Sequence, residues 1–214
     1  GGNQCFDKGT LGYGDCGAGE LEGPYFLVRG GIVGAEATEF NFNAATAIDN
    51  EYDVGWAAGA GFGYEFVEVE PGIDLRVELE LGYQEAEIDE HVIGGAGIAG
   101  SFGETGVFYG FVNLYGDVQL LDDLELVLGG GIGLGDVDFD GHGIPGLVAL
   151  GDDDVAFGYY LDAGLSHEFT PDVAIEASYR YSSFLDAELT STAGFSNDVD
   201  VDSHQGLLGL RLKM

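Results

Sequence analysis

Cations are what this chain lacks most. Its 214 residues hold six Lys and Arg against 39 Asp and Glu, a formal charge of −33. With no basic patch to release counterions, nucleic acid is excluded as a partner. An anionic membrane surface would not attract the chain either. Long apolar runs are missing too. Glycines or charges interrupt every apolar stretch before the ~18–20 residues that a transmembrane helix needs. Helix caps followed by an apolar stripe are also absent. A membrane reading must therefore rest on strands. Cysteine is down to two residues, Cys5 and Cys16, close together in a glycine-rich lead-in. An even number in a short segment points to a disulfide and an oxidising compartment, with two free thiols as the alternative. The chain starts Gly1-Gly2, without Met or an apolar leader, and so reads as a mature or trimmed form.

What the chain has is alternation. In Ile73–Tyr83, Ile73, Leu75, Val77, Leu79, Leu81 and Tyr83 share one parity, and Asp74, Arg76, Glu78, Glu80 and Gly82 the other. That is the period of a β-strand with one apolar and one charged face. Seven more such stretches follow the same plan: Tyr25–Gly34, Val54–Val67, Gly106–Leu120, Leu124–Leu134, Val155–Phe169, Val173–Ser182 and Ser203–Met214. Short turns (Glu68–Gly72, Leu121–Asp123, Thr170–Asp172) alternate with long polar connections (Ala35–Asp53, Gln84–Thr105, Gly135–Asp154, Ser183–Asp202). The expectation is all-β: an eight-stranded antiparallel up-and-down transmembrane β-barrel over 24–214, with short periplasmic turns and long external loops. Residues 1–23 form the periplasmic lead-in that carries Cys5 and Cys16.

Three features point the apolar faces outward, to lipid. Glycine gathers on the polar parity, which suits the crowded interior of a narrow eight-stranded barrel. Aromatics collect near strand ends (Phe26, Trp56, Phe66, Tyr83, Phe108, Phe157, Phe169, Tyr181), as interfacial girdles do. Five of the six cations lie on the polar parity. A buried unpaired charge is costly, so an ion-paired lumen is expected, with Arg29, Arg76, Arg180 and Arg211 against Glu78, Glu80, Glu125, Asp162 and Glu176. The alternative is a soluble, lipocalin-like barrel with its faces reversed.

The carboxyl end, Gly209-Leu210-Arg211-Leu212-Lys213-Met214, resembles the Gly-Leu-Arg-Tyr-x-Phe ending of outer-membrane proteins, with Leu212 and Met214 in place of the two aromatics. Tyr179-Arg180-Tyr181 and Asn113-Leu114-Tyr115-Gly116-Asp117 resemble the opacity-type, outer-membrane protein A-like eight-stranded barrels. This resemblance implies the outer membrane of a Gram-negative bacterium, contact with its lipid, and an assembly signal at Leu208, Leu210, Leu212 and Met214 read by the barrel-assembly machinery. It implies no catalytic residues, since members are mostly structural proteins, adhesins or very narrow pores.

Candidate chemistry lies in the polar connections, which are acidic and hold no Lys or Arg. Asp136-Val-Asp138-Phe-Asp140-Gly141 has the oxygen spacing of half a calcium loop. Leu147 stands where an EF-hand needs Glu, so Asp152, Asp153 and Asp154 would have to complete the site. The competing reading is solubility, or adaptation to a saline medium. Ser166-His167 and Ser203-His204 are not dyads, because adjacent strand residues face opposite ways. His91 and His142 fall in different loops, where solvated histidines are expected over a metal site. No cofactor is expected apart from calcium. The function that follows is a structural or interaction barrel with an extracellular or membrane protein partner that the residues do not name. Its alternatives are a narrow cation-selective, porin-like channel and an accessory subunit of a larger membrane assembly.

Overall fold

A computed structural model describes residues 4–7, 12–15, 23–70, 73–121 and 123–214, with no side chains for 4–7, 12–15 and 67–70. Cys16, the side chain of Cys5 and the Pro71-Gly72 turn lie outside what the structure describes, and the pairing of the two cysteines with them. β1 (Gln4–Asp7) and β2 (Gly12–Asp15) form a two-stranded sheet of their own. The barrel strands are β3 (Gly23–Ala35), β6 (Gly55–Glu70), β7 (Ile73–Ile93), β9 (Phe102–Leu121), β10 (Leu124–Ile144), β11 (Leu147–Thr170), β12 (Val173–Thr190) and β13 (Ser196–Lys213). Between them stand β4 (Thr38–Asn43), β5 (Thr46–Tyr52) and β8 (Ala96–Ile98). Each barrel strand pairs antiparallel with the next, and β13 pairs back onto β3, so eight strands close without a free edge. No described helix is long and apolar enough to cross a membrane.

The faces point as the parity argument requires. Leu79, Leu81, Ile132, Leu161 and Leu208 look outward and are each at least 60% exposed, whereas Arg76, Arg180 and Arg211 look inward and are at most 1% exposed. A soluble barrel with such a surface would not stay dispersed; against lipid it is satisfied. Glycines make room for the lumen's large side chains. The ring of Tyr25 lies over Gly63 and that of Tyr109 over Gly82, so closely that a β-carbon at either position would enter the ring.

One expectation is overturned. The long polar connections are largely strand, not loop. β7 and β10 run 21 residues each and β11 runs 24, about twice the ~9–11 that cross the hydrocarbon. The reason is in the residues. Glu85-Ala86-Glu87-Ile88, Asp136-Val137-Asp138-Phe139 and Asp198-Val199-Asp200-Val201 keep period two but exchange the faces. Ala86, Ile88, Val137, Phe139, Val199 and Val201 are buried inside, and the acids point out. The upper half is thus a water-exposed barrel with an apolar core, built on a lipid-exposed barrel with a polar core. β4 and β5 fold over its mouth. β5 pairs with β7, and β4 reaches β13, where the Asn41 amide donates to Asn197 Oδ1 (2.7 Å) and Asn197 Nδ2 donates to the Asn41 carbonyl (3.2 Å).

Candidate functional site: a filled lumen beneath an acidic wall

The lumen is built in layers. Near the short turns, Lys213 bridges Glu65 (3.3 Å) and Glu168 (2.9 Å). Above it, Arg76 and Arg211 share Asp117 (2.6 and 3.3 Å) and Glu176 (both 3.3 Å), and Arg211 also reaches Glu125 (3.4 Å). The next layer holds Arg29 against Glu78 (2.9 Å) and Asp162 (3.3 Å), and Arg180 against Glu80 (2.9 Å) and Asp162 (3.1 Å). Tyr25 donates to Glu78 (3.0 Å), and Asn113 donates to both Glu78 and Glu80 (3.1 Å each). The Arg180 guanidinium stacks 3.8 Å above the Tyr160 ring. The nine lumen residues picked out in the sequence therefore lie in two linked clusters. Glu65, Asp117 and Glu168, which the sequence sets on the same parity, join them; the tyrosines and Asn113 read only as polar-face filler.

Higher up, the described residues that fill the lumen are uncharged. Phe111 packs on Tyr160 (5.0 Å) and Phe184 (5.8 Å). A neutral belt follows, in which Gln205 Nε2 donates to Gln84 Oε1 (2.6 Å) and Ser182 and Ser203 bond to each other (2.8 Å). Val137, Phe139, Leu150 and Leu189 then fill the upper barrel, with Phe40 and Ile48 of the β4–β5 hairpin as its cap. The lumen holds polar, neutral and apolar matter in turn.

Outside, above the girdle of Trp56, Tyr83, Phe108 and Phe157, the wall is acidic. Register places Glu87 beside Glu104 and Glu104 beside Asp140, and places Asp138 beside Asp153. Burial and then mutual repulsion, chiefly from Glu85 and Asp140, raise the pKa of Glu104; burial and then Asp140 and Asp153 raise that of Asp138.

A closed eight-strand ring, apolar outside and ion-paired inside, agrees with the family comparison: the model of the outer membrane protein beta-barrel domain matches residues 19–212. The chain belongs to this family. As a member, it sits in the outer membrane of a Gram-negative bacterium, and its opacity-type, eight-stranded character stands. In fold the barrel is similar to Neisserial surface protein A, at 16% identity with a TM-score of 0.56 over 91% of this chain and 99% of that one. It is also similar to a major outer membrane protein from Thermus thermophilus (12%, 0.51, 89% and 99%) and to outer membrane protein AlkL (16%, 0.51, 95% and 96%). No curated protein matches.

The six aspartates singled out for calcium do not converge. Asp136, Asp138 and Asp140 alternate outward along β10, and Asp153 joins them from β11. Asp152 and Asp154 instead accept hydrogen bonds from the backbone amides of Thr190 (2.7 Å) and Glu188 (2.9 Å), standing in for a ladder that β11 and β12 have lost there. Among the described residues no group of three or more His, Cys, Asp or Glu is placed to hold a metal. Leu208, Leu210, Leu212 and Met214 lie exposed along the outer face at the carboxyl end. Ser166 faces inward and accepts from Arg211 (3.2 Å), whereas His167 is out at the Asp123 carbonyl (2.9 Å). Ser203 is likewise inside and His204 outside, between Glu36 (2.7 Å) and Tyr179 (2.6 Å).

His91 and His142 correct the sequence reading. They are not solvated; they are 1% and 0% exposed, side by side, with ring centroids 5.8 Å apart. Strand extension brings them together, which a loop assignment could not foresee. Burial lowers the pKa of both, that of His142 to about 4, so both imidazoles are neutral at pH 7.

Proposed function

We propose that this barrel is a closed structural and interaction protein of the outer membrane, non-enzymatic, working through its acidic outer wall and capped tip. The filled lumen carries this reading. A cation crossing it would have to part Arg180 from Glu80 and Asp162, whose side chains are almost fully buried, and then pass an apolar plug. Moving a charge through matter of low polarity costs far more than thermal energy. The pore alternative is therefore disfavoured.

The outer wall supports the interaction half of the proposal. Carboxylates stand in adjacent registers on the water-exposed upper half, a potential that attracts cationic partners and concentrates divalent ions. Calcium would act along this ladder as a screen, not inside a cage. Planar-bilayer recording tests the closed reading: the refolded barrel should be silent, and steady cation-selective current would overturn it. Calcium titration tests the wall: millimolar calcium should raise the melting temperature, by less after Asp138→Ala, and no shift in either protein would remove calcium from the account.

A further inference from the structure

We propose that His91 and His142 form a binding site for a borderline divalent metal ion such as zinc, at the capped tip of the barrel. His142 Nε2 lies 3.0 Å from the Glu104 carbonyl, which can only accept, so Nε2 carries the ring proton. Thr105 Oγ1, 3.1 Å away, supports the same nitrogen. The lone pair of the neutral ring is then on Nδ1, which is buried and has no hydrogen-bond partner. A histidine whose N–H is anchored on a backbone carbonyl while its other nitrogen stands free is the arrangement that metal-ligating histidines adopt. No hydrogen bond of good geometry reaches either ring nitrogen of His91. The backbone at Phe102 and Gly143 lies near enough to favour a ring proton.

Leaving such an atom buried and unsatisfied is costly, and a ligand for its lone pair would offset that cost. The spacing suits one ion. With Zn–N near ~2.0–2.1 Å, two imidazoles on a zinc ion have their ring centres roughly 5–6 Å apart; here they are 5.8 Å apart. A cavity of about 180 Å³ adjoins His91, lined by Ile48, Ile93, Gly143 and Leu147 among others, with room for water or an outside ligand to complete the coordination. Gly103, at φ 137°, lies against the His142 ring where a side chain would collide with it. Two imidazoles and no carboxylate select zinc, copper or nickel over calcium and magnesium. The acidic wall outside raises the local concentration of any cation.

Zinc titration of the refolded barrel in detergent, by calorimetry in excess millimolar calcium, tests this. Calcium occupies the carboxylates and leaves the imidazoles free. One zinc per chain should remain, weakened at least tenfold by His91→Phe and by His142→Phe, and unchanged by His167→Phe and His204→Phe. Heat-modifiable migration shows which variants fold. If His142→Phe does not fold, cobalt(II) bound to the unaltered barrel decides: strong visible absorption reports a four-coordinate ion held by the two imidazoles and two outside ligands, weak absorption a six-coordinate ion on carboxylate and water oxygens. Zinc that survives both buried-histidine substitutions, zinc fully displaced by calcium, or a weak cobalt spectrum would overturn the proposal.

Discussion

Arg180 ties together three strands: its own β12, β7 through Glu80, and β11 through Asp162. Breaking a buried pair by removing one partner is far worse than never having it, because the carboxylates remain without their cation. Arg29 keeps a 3.3 Å bond to Asp162, so the loss is partial. Arg180→Met should lower stability by about 3 kcal/mol in a urea titration of the folded barrel, near the lower end for such deletions. Glu80→Gln with Asp162→Asn in the same chain should recover most of it. A single substitution without effect would mean that the lattice is loosely held. His142 has the opposite character, since burial keeps it neutral. Unfolded, it titrates near ~6.5; folded, near about 4. Stability at the tip is thus full above pH ~6.5 and declines as pH falls towards 4. Hydrogen exchange of β4 and β5, corrected for intrinsic rates, should accelerate over that window, and His142→Phe should flatten the response.

At the scale of elements, the β4–β5 hairpin is a cap laid on a barrel that is already closed by its own lattice. Replacing residues 37–53 by a short turn should leave heat-modifiable migration intact and the bilayer recording silent, because Arg29 and Arg180 still block the lower lumen. Current from the shortened barrel would show the cap to be the only seal. The elements also mark how far the sequence could be read. Every barrel strand was legible from period two, and so was its lipid face, because Leu, Val and Ile alternate with Gly and charge over ten residues. The upper halves were not, although they alternate as cleanly. In Asp136-Val137-Asp138-Phe139-Asp140 the acids occupy the parity that Ile132 and Leu134 held below. With one polarity assigned to each face, that exchange marks the end of the strand. The histidine pair was lost for the same reason, since residues 51 apart in sequence meet only once β7 and β10 continue upward.

For the whole molecule, the formal charge of −33 is placed, not spread. Inside the membrane-level lumen, carboxylates meet arginines; above it, they meet one another. The raised pKa values of Glu104 and Asp138 mean that the folded chain binds those protons more tightly than the unfolded chain does. Their repulsion weighs on the fold at neutral pH and fades as pH falls through the raised values. The melting temperature should therefore rise at pH 7 in Asp138→Asn and Glu104→Gln, and the gain should vanish near pH ~3, below the ordinary value of both carboxyls. Comparing variants at one pH cancels the contribution of His142. A gain that persists at pH ~3 would assign the effect to packing and not to charge.

The exchange of faces also works as a draught mark on a hull. Below it, sinking into water would expose leucines; above it, rising into lipid would bury aspartates. Both errors grow with each residue pair, about 6.6 Å of strand. The molecule therefore cannot slide to suit a thicker or thinner bilayer, and the lipid around it must stretch or thin instead.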